Sequence, residues 1–154
     1  MKDINSETDF ENHIRLIIQE DILTDNSDLI LLSNKKAVDI LLCRNNSNPT
    51  LFFIEIKYYK HNHGRLGFGH GKGGGIQPEI LLKRPDFFET NLKWIIGSEE
   101  SEDYYLVDIS KLRNYVMGKG IADKFNNIKK SLFKDEIGID RQQLVTELRS
   151  WMKE

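Results

Sequence analysis

The sequence predicts an α/β fold in which a mixed central β-sheet lies between helices. Two stretches, 37–44 and 51–59, are apolar at almost every odd and even position, which is typical of strands covered on both faces. Apolar residues at helical spacing occur before these strands and again at the end of the chain. A chain of 154 residues with 39% hydrophobic content suits one core, so we expect residues 1–154 to form a single domain.

The first predicted elements are a helix and three strands. Thr8 with Glu11 offers a capping box for an amphipathic helix that ends near Glu20. The short apolar run 29–32 has the length of a strand rather than of a helix. A polar turn of five residues, 45–49, then joins the two apolar stretches. These two stretches are therefore expected to form a β-hairpin.

The rest of the chain is expected to continue with helices and strands. Pro78 is well placed in the first turn of a short helix, and Pro85 limits the length of that helix. Asp140 and Gln143 are expected to cap the last helix. The predicted strands of this part are 92–96 and 104–109, and its other predicted helices are 112–117 and 121–133.

The segment 61–75 differs in composition from the rest of the chain. It holds seven of the 11 glycines and three of the four histidines. Lys60, Arg65 and Lys72 supply positive charge, and the glycines let backbone amides approach phosphates. Phe68 could stack on a base or wedge between bases. We therefore expect this loop to contact DNA, and a disordered surface loop is the alternative.

Charge and cysteine content restrict the partners of the protein. The net charge of −2 and the pI near 6.1 exclude a general polyanion-binding surface, so any contact with nucleic acid must be local. Cys43 is the only cysteine, which excludes an intrachain disulfide and fits a reducing cytoplasm. No apolar run reaches the roughly 18 to 20 residues that span a bilayer, and no membrane partner is expected.

Two acidic residues interrupt the apolar hairpin. If Arg44 pairs with Thr50 across the turn, Asp39 lies directly opposite Glu55, with their Cβ atoms about 5 Å apart. Two carboxylates this close in a sheet covered on both faces repel each other, unless one is protonated or a cation lies between them. The hairpin therefore predicts a divalent metal site at Asp39 and Glu55.

Lys57 belongs to the same predicted site, because residues two apart on a strand point to one face and Lys57 follows Glu55 by two. Ligands that are all oxygen suit Mg²⁺, with Mn²⁺ as a substitute, and fit Zn²⁺ poorly. Such a metal stabilises a phosphodiester transition state and acidifies a bound water. Lys57 is expected to orient that water or to help deprotonate it. A purely structural ion pair between Lys57 and one of the acids is the alternative.

The spacing of these residues resembles the signature of the PD-(D/E)xK nuclease superfamily. Asp39 is followed, after a gap of 15 residues, by Glu55, Ile56 and Lys57 at the end of an apolar strand. Val38 stands where the signature has proline. The resemblance implies that Asp39, Glu55 and the carbonyl of Ile56 bind the metal, that Lys57 acts on the nucleophilic water, and that the products carry 5′-phosphate ends.

The predicted order of elements also resembles this superfamily. A helix, a three-strand meander, a helix and a further strand form the αβββαβ restriction-endonuclease-like core, which the resemblance places at about residues 7–109. The segment 110–154 would then be a helical C-terminal extension. Many members add a carboxylate from the first helix; of Glu7 and Glu11, which lie on the relevant side, Glu11 is our choice. A glutamine after the motif strand also recurs, and Gln77 is the candidate, with capping of the following helix as its alternative.

The sequence thus predicts a Mg²⁺-dependent endonuclease that hydrolyses DNA phosphodiester bonds, of the restriction type. A homodimer is expected if both strands of a duplex are cut, because one site performs one hydrolysis at a time. The alternatives are a structure-selective DNA or RNA nuclease of the same fold, and a non-catalytic nucleic-acid-binding or protein-interaction module.

Overall fold

The computed structural model contains a five-stranded mixed sheet flanked by helices, which confirms the predicted α/β class. It describes residues 4–32, 38–61, 65–67, 85–111, 127–129 and 136–153. The helices are α1 (Glu7–Ile17), α2 (Pro85–Asn91) and α3 (Arg141–Lys153). The strands are β1 (Leu29–Leu32), β2 (Ile40–Arg44), β3 (Thr50–Tyr59), β4 (Arg65–Gly67), β5 (Leu92–Ser98), β6 (Ser101–Asp108) and β7 (Asn127–Lys129).

The large sheet has the strand order β1-β2-β3-β5-β6. Neighbouring strands are antiparallel except β3 and β5, which run parallel. A parallel pair needs a crossover connection, and α2 lies in the connection between β3 and β5. Arg44 pairs with Thr50 across the turn, so the predicted hairpin and its register are confirmed.

β3 lies in the middle of the sheet and is buried on both faces, as its continuous apolar pattern predicts. Ile54 and Ile56 belong to one core cluster, which also contains buried residues of α1 and α3. Tyr59 belongs to a second cluster with Trp94 and Ile96 of β5. Alternate residues of β3 therefore point to different environments, and Glu55 and Lys57 share the face of Tyr59.

α1 begins at Glu7 because Ser6 is its N-cap: the Ser6 side chain accepts a hydrogen bond of 3.0 Å from the backbone N–H of Asp9. The predicted capping box at Thr8 is wrong, since Thr8 lies inside the first turn. Phe10 of α1 packs so closely on the sheet that a Cβ at Gly97 would lie 2.5 Å from Phe10 Cζ. This contact positions the first turn of α1 over the end of β3. After α1, a π-helical turn (Ile18–Ile22) and a 3₁₀ turn (Leu23–Asp25) continue past the predicted end of the helix.

The predicted last helix is confirmed as α3, with its cap. Asp140 Oδ1 accepts from the backbone N–H of Gln143 at 2.8 Å, and Gln143 Oε1 accepts from the backbone N–H of Asp140 at 3.2 Å. The helix predicted over 121–133 is wrong at 127–129, which forms β7 and pairs with β4. Such a strand depends on a distant partner, which a local pattern cannot show.

Three further predictions concern Pro78, Pro85 and the segment 112–117. The helix predicted from Pro78 lies outside the described residues, as does the helix predicted at 112–117. Pro85 begins α2, which agrees with the tolerance for proline in a first helical turn. Within the ranges described, no helix is both long and apolar enough to cross a membrane.

Candidate active site

The candidate site lies where β3 extends beyond β2. β2 pairs with β3 only as far as Ile54, and β3 continues for five more residues along β5. At this edge the backbone of β3 forms hydrogen bonds with charged side chains rather than with a neighbouring strand. Ile56 N–H donates to Asp39 Oδ2 at 2.7 Å, and the Ile56 carbonyl accepts from Lys57 Nζ at 2.9 Å. Tyr58 N–H donates to Glu7 Oε2 at 3.4 Å. We call Glu7, Asp39, Glu55 and Lys57 the β3 edge cluster.

Asp39 lies in a bend directly before β2. Continuing the hairpin register places it opposite Glu55, as predicted. Arg15 of α1 stabilises this bend, because its guanidinium donates a hydrogen bond to the backbone carbonyl of Asp39. Arg15 Nε in turn donates to Glu11 Oε1 at 2.8 Å. Glu11 therefore acts on the position of Asp39 through Arg15.

Glu55 is the most unusual carboxylate of the cluster. It is only 7% exposed. Its Oε1 lies 3.2 Å from Lys57 Nζ, whereas its Oε2 is buried and has no hydrogen-bond partner in the described part of the chain. Burial raises the pKa of Glu55 to about 7; the Lys57 ammonium opposes this rise, and the Asp39 carboxylate adds to it. The site therefore lacks enough positive charge to keep Glu55 fully ionised at neutral pH.

Lys57 is also buried, at 8% exposure. Its ammonium lies 3.2 Å from Glu55 Oε1 and 3.4 Å from Glu7 Oε1. Burial alone would lower the pKa of Lys57, but the carboxylates of Glu55, Glu7 and Asp39 outweigh it and raise this pKa above its ordinary value. Lys57 therefore holds its proton near neutral pH. Of the two predicted roles, this favours orienting a water over deprotonating it.

The structure brings Glu7 into the cluster and places Glu11 beside it. Glu7 lies at the start of α1, where it reaches Lys57 and Tyr58. Glu11 lies one turn further along the helix and pairs with Arg15. Both glutamates are on the helical side that the sequence indicates, so only the placement of α1 on the sheet decides which of them contacts Lys57. Glu11 was our choice for a catalytic carboxylate; it contacts Arg15, and its catalytic role stays a prediction.

The other predicted residues are placed only in part. Lys60 directly follows β3 and is half-buried. Arg65 lies in β4, where the backbone alone is described. Phe68, Lys72 and Gln77 lie outside the described residues. Their predicted contacts with DNA or with the site remain predictions.

Comparison with protein-family models, with curated proteins and with solved structures finds no match to this chain. The function must therefore be argued from the cluster itself.

The residues present fit a hard divalent cation in their chemistry. Asp39 and Glu55 supply carboxylate oxygens, and one of these oxygens, Glu55 Oε2, is buried without a partner. The carbonyl of Ile56 lies at the same edge. No group of three or more His, Cys, Asp or Glu side chains within the described ranges is arranged to hold a metal. Two carboxylates and a carbonyl leave the other positions to waters and substrate oxygens, as Mg²⁺ commonly requires.

Two residues near the site were not found from the sequence. Arg15 holds the bend at Asp39, but at the sequence level it is one more charged residue of an amphipathic helix. Trp94 of β5 pairs in register with Glu55 and is fully buried. A tryptophan in a buried strand signals core packing, and only the pairing of β3 with β5 brings it beside the cluster.

Proposed function

We propose that this protein is a Mg²⁺-dependent nuclease that hydrolyses DNA phosphodiester bonds at the β3 edge cluster. The observation that carries the proposal is the state of Glu55: a buried carboxylate with one oxygen unpartnered, a pKa raised to about 7, and Asp39 close enough to contribute to that rise. A divalent cation between Asp39 and Glu55 would remove the repulsion between the two carboxylates.

The order of elements supports the same assignment. α1, the meander β1–β2–β3, α2 and the parallel strand β5 follow the αβββαβ order of a restriction-endonuclease-like core. The site then lies on the motif strand β3, where it extends past β2. This likeness in order supports the proposal but does not by itself specify an activity.

In this proposal Asp39, Glu55 and the carbonyl of Ile56 hold the metal. When bound, the metal supplies a Lewis acid for the phosphodiester and acidifies a water. The hydrogen bond from the Ile56 N–H fixes the orientation of the Asp39 carboxylate. Lys57, which stays protonated, donates a hydrogen bond to the attacking water or to a phosphate oxygen. Glu7 balances the charge of Lys57 from the exposed side, where its side chain is 51% exposed.

The rival is a binding module without catalysis, and one observation favours it. Asp39, Lys57 and Glu7 each bond the backbone of β3 where β2 is absent. Satisfying a buried strand edge is a structural role that needs no metal and no substrate. The two functions differ in what Mg²⁺ does: it is required for the first and has no effect in the second.

The experiment is a cleavage assay with purified protein on supercoiled plasmid, single-stranded DNA and RNA, each with Mg²⁺, Mn²⁺ or chelator. Asp39→Asn and Glu55→Gln are tested beside Glu147→Gln, which neutralises an exposed acid of α3. Cleavage that requires metal, leaves 5′-phosphates and is lost only in the two site variants supports the proposal. Cleavage that survives in both site variants contradicts the assignment of the site. Metal-independent binding of nucleic acid, with no cleavage of any substrate, favours the binding module.

The substrate arms also separate the kinds of nuclease. Discrete fragments from linear duplex indicate a restriction-type enzyme. Cleavage of branched DNA or RNA with linear duplex left intact indicates a structure-selective one. Size-exclusion chromatography with and without DNA tests the homodimer that double-strand cutting requires.

A further inference from the structure

Trp94 has a buried polar atom that neither core packing nor the proposed metal site explains. Its side chain is fully buried, and its indole Nε1–H has no hydrogen-bond partner among the residues described. Buried donors in folded proteins are nearly always satisfied, and an unpartnered one commonly marks an ordered water or ion. The other indole of the chain is satisfied, since Trp151 Nε1–H donates to the carbonyl of Thr90 at 2.6 Å.

A matching acceptor lies on the neighbouring strand. Glu55 and Trp94 are register partners of the parallel pair β3 and β5, and adjacent strands are about 4.8 Å apart. Trp94 shares its core cluster with Phe53 and Tyr59, which lie on the same face of β3 as Glu55. Glu55 Oε2 is the unpartnered buried acceptor of this face in the described ranges. A buried donor and a buried acceptor, each without a partner in the described ranges, thus occupy paired positions on neighbouring strands.

We propose that one ordered water bridges Trp94 Nε1–H and Glu55 Oε2, which makes Trp94 a positioning residue for the Glu55 carboxylate. The water accepts from the indole and donates to the carboxylate oxygen, so both atoms gain the partner they lack. Held in this way, Glu55 cannot rotate both oxygens toward Lys57, and Oε2 stays directed across the sheet. The bridge itself needs no catalysis, but its kinetic consequence rests on the proposed nuclease function.

The bridge is tested first without any activity, by NMR of the two indole N–H groups. Trp151→Phe assigns the two resonances. We expect a cross-peak between the Trp94 indole proton and a long-lived water, and a shift of the Trp94 resonance in Glu55→Gln. The Trp151 resonance is the internal control, and Glu147→Gln is the matched variant; neither should show a change. A Trp94 resonance without a water cross-peak and unmoved by Glu55→Gln overturns the proposal.

The kinetic test removes only the N–H. In a Trp151→Phe background, tryptophan is replaced by β-(3-benzothienyl)alanine, which keeps the bicyclic ring and has sulfur in place of the nitrogen. For an active nuclease we expect kcat to fall about tenfold, the scale of lost supporting hydrogen bonds at metal sites, with KM for DNA unchanged. An unchanged kcat overturns the positioning role. If no substrate is cleaved, the proposed function fails, and the NMR result still decides the bridge.

Discussion

Two charged clusters in this molecule have similar composition and very different physical states. The β3 edge cluster is centred on Glu55 and Lys57, both under one tenth exposed. The second cluster joins α3 to the turn after α1, where Arg141 bonds Asp21 at 2.8 Å and Glu20 at 3.0 Å. Its side chains are 33% to 52% exposed. It borders a cleft of about 570 Å³ that shares no lining residue with the β3 edge cluster.

The comparison teaches that partnering and burial, rather than the number of charges, indicate function. The bonded acids Asp21 and Glu20 raise the pKa of Arg141, which is the ordinary behaviour of a satisfied ion pair. Burial raises the pKa of Glu55 to about 7 even though Lys57 is adjacent. Exposed pairs contribute little to stability, whereas a buried acid with a strongly shifted pKa beside a charged partner is a candidate for a functional role. Five predictions test this difference, from the largest expected effect to the smallest.

The largest effect is on cleavage. Asp39→Asn removes a proposed metal ligand with little change in volume, and we expect the rate of DNA cleavage in Mg²⁺ to fall at least about a hundredfold. Arg141→Gln, in the second cluster, should leave that rate within about twofold, because it touches no part of the site. A plasmid-nicking time course measures both. Equal losses in the two variants would mean that the clusters do not differ in function.

Lys57→Met should cost about 3 kcal/mol of unfolding free energy at pH 8, because it leaves the buried Glu55 without its cation. The cost should be smaller at pH 5, where Glu55 is protonated and needs no partner. Urea denaturation at the two pH values measures the difference. A cost that is the same at both would show that Lys57 stabilises the fold by packing alone.

Glu55→Gln should stabilise the metal-free protein above neutral pH. The pKa of Glu55 rises from 4.5 to about 7 on folding, so the folded state binds the proton more tightly than the unfolded state. The stabilisation that protonated Glu55 contributes is fully present below pH 4.5. It is lost as the pH rises through 7, which lowers the free energy of unfolding by up to about 3 kcal/mol. The variant should lack this loss. Thermal melts from pH 4.5 to 8.5 test it, and parallel curves for both proteins would contradict the raised pKa.

Mg²⁺ should stabilise the protein more at pH 8 than at pH 5.5, because proton and metal compete for Glu55. At concentrations of 10 to 100 times its dissociation constant, a ligand adds about 1 to 3 kcal/mol. Thermal melts with Mg²⁺ or chelator measure this, with Asp39→Asn as the variant that should not respond. A response in Asp39→Asn equal to that of the wild type would place the metal elsewhere.

The smallest effect belongs to the second cluster. Arg141→Gln should lower the free energy of unfolding by less than about 1 kcal/mol, because the two acidic partners of Arg141 are partly exposed and water replaces the guanidinium. The cost should decrease in high salt, because exposed pairs are screened. Urea denaturation in low and high salt provides the measurement. A cost like that of Lys57→Met would show that the two clusters differ less than their exposure suggests.

The sequence by itself determined the centre of the candidate site. A five-residue turn sets the register of β2 against β3, and strand alternation places Glu55 and Lys57 on one face. These relations are local, since they involve residues joined by a short hairpin. The α/β class and α3 with its cap followed from periodicity and capping, which are local as well.

Only the tertiary structure decided what surrounds that centre. It placed Glu7 rather than Glu11 within reach of Lys57, because the packing of Phe10 on Gly97 fixes which turn of α1 reaches the end of β3. It paired β5 with β3 and so brought Trp94 beside Glu55. It also formed β7 where a helical pattern was predicted. In each case the deciding contact joins segments far apart in the chain, and the free energy of such a contact depends on packing that no local pattern records.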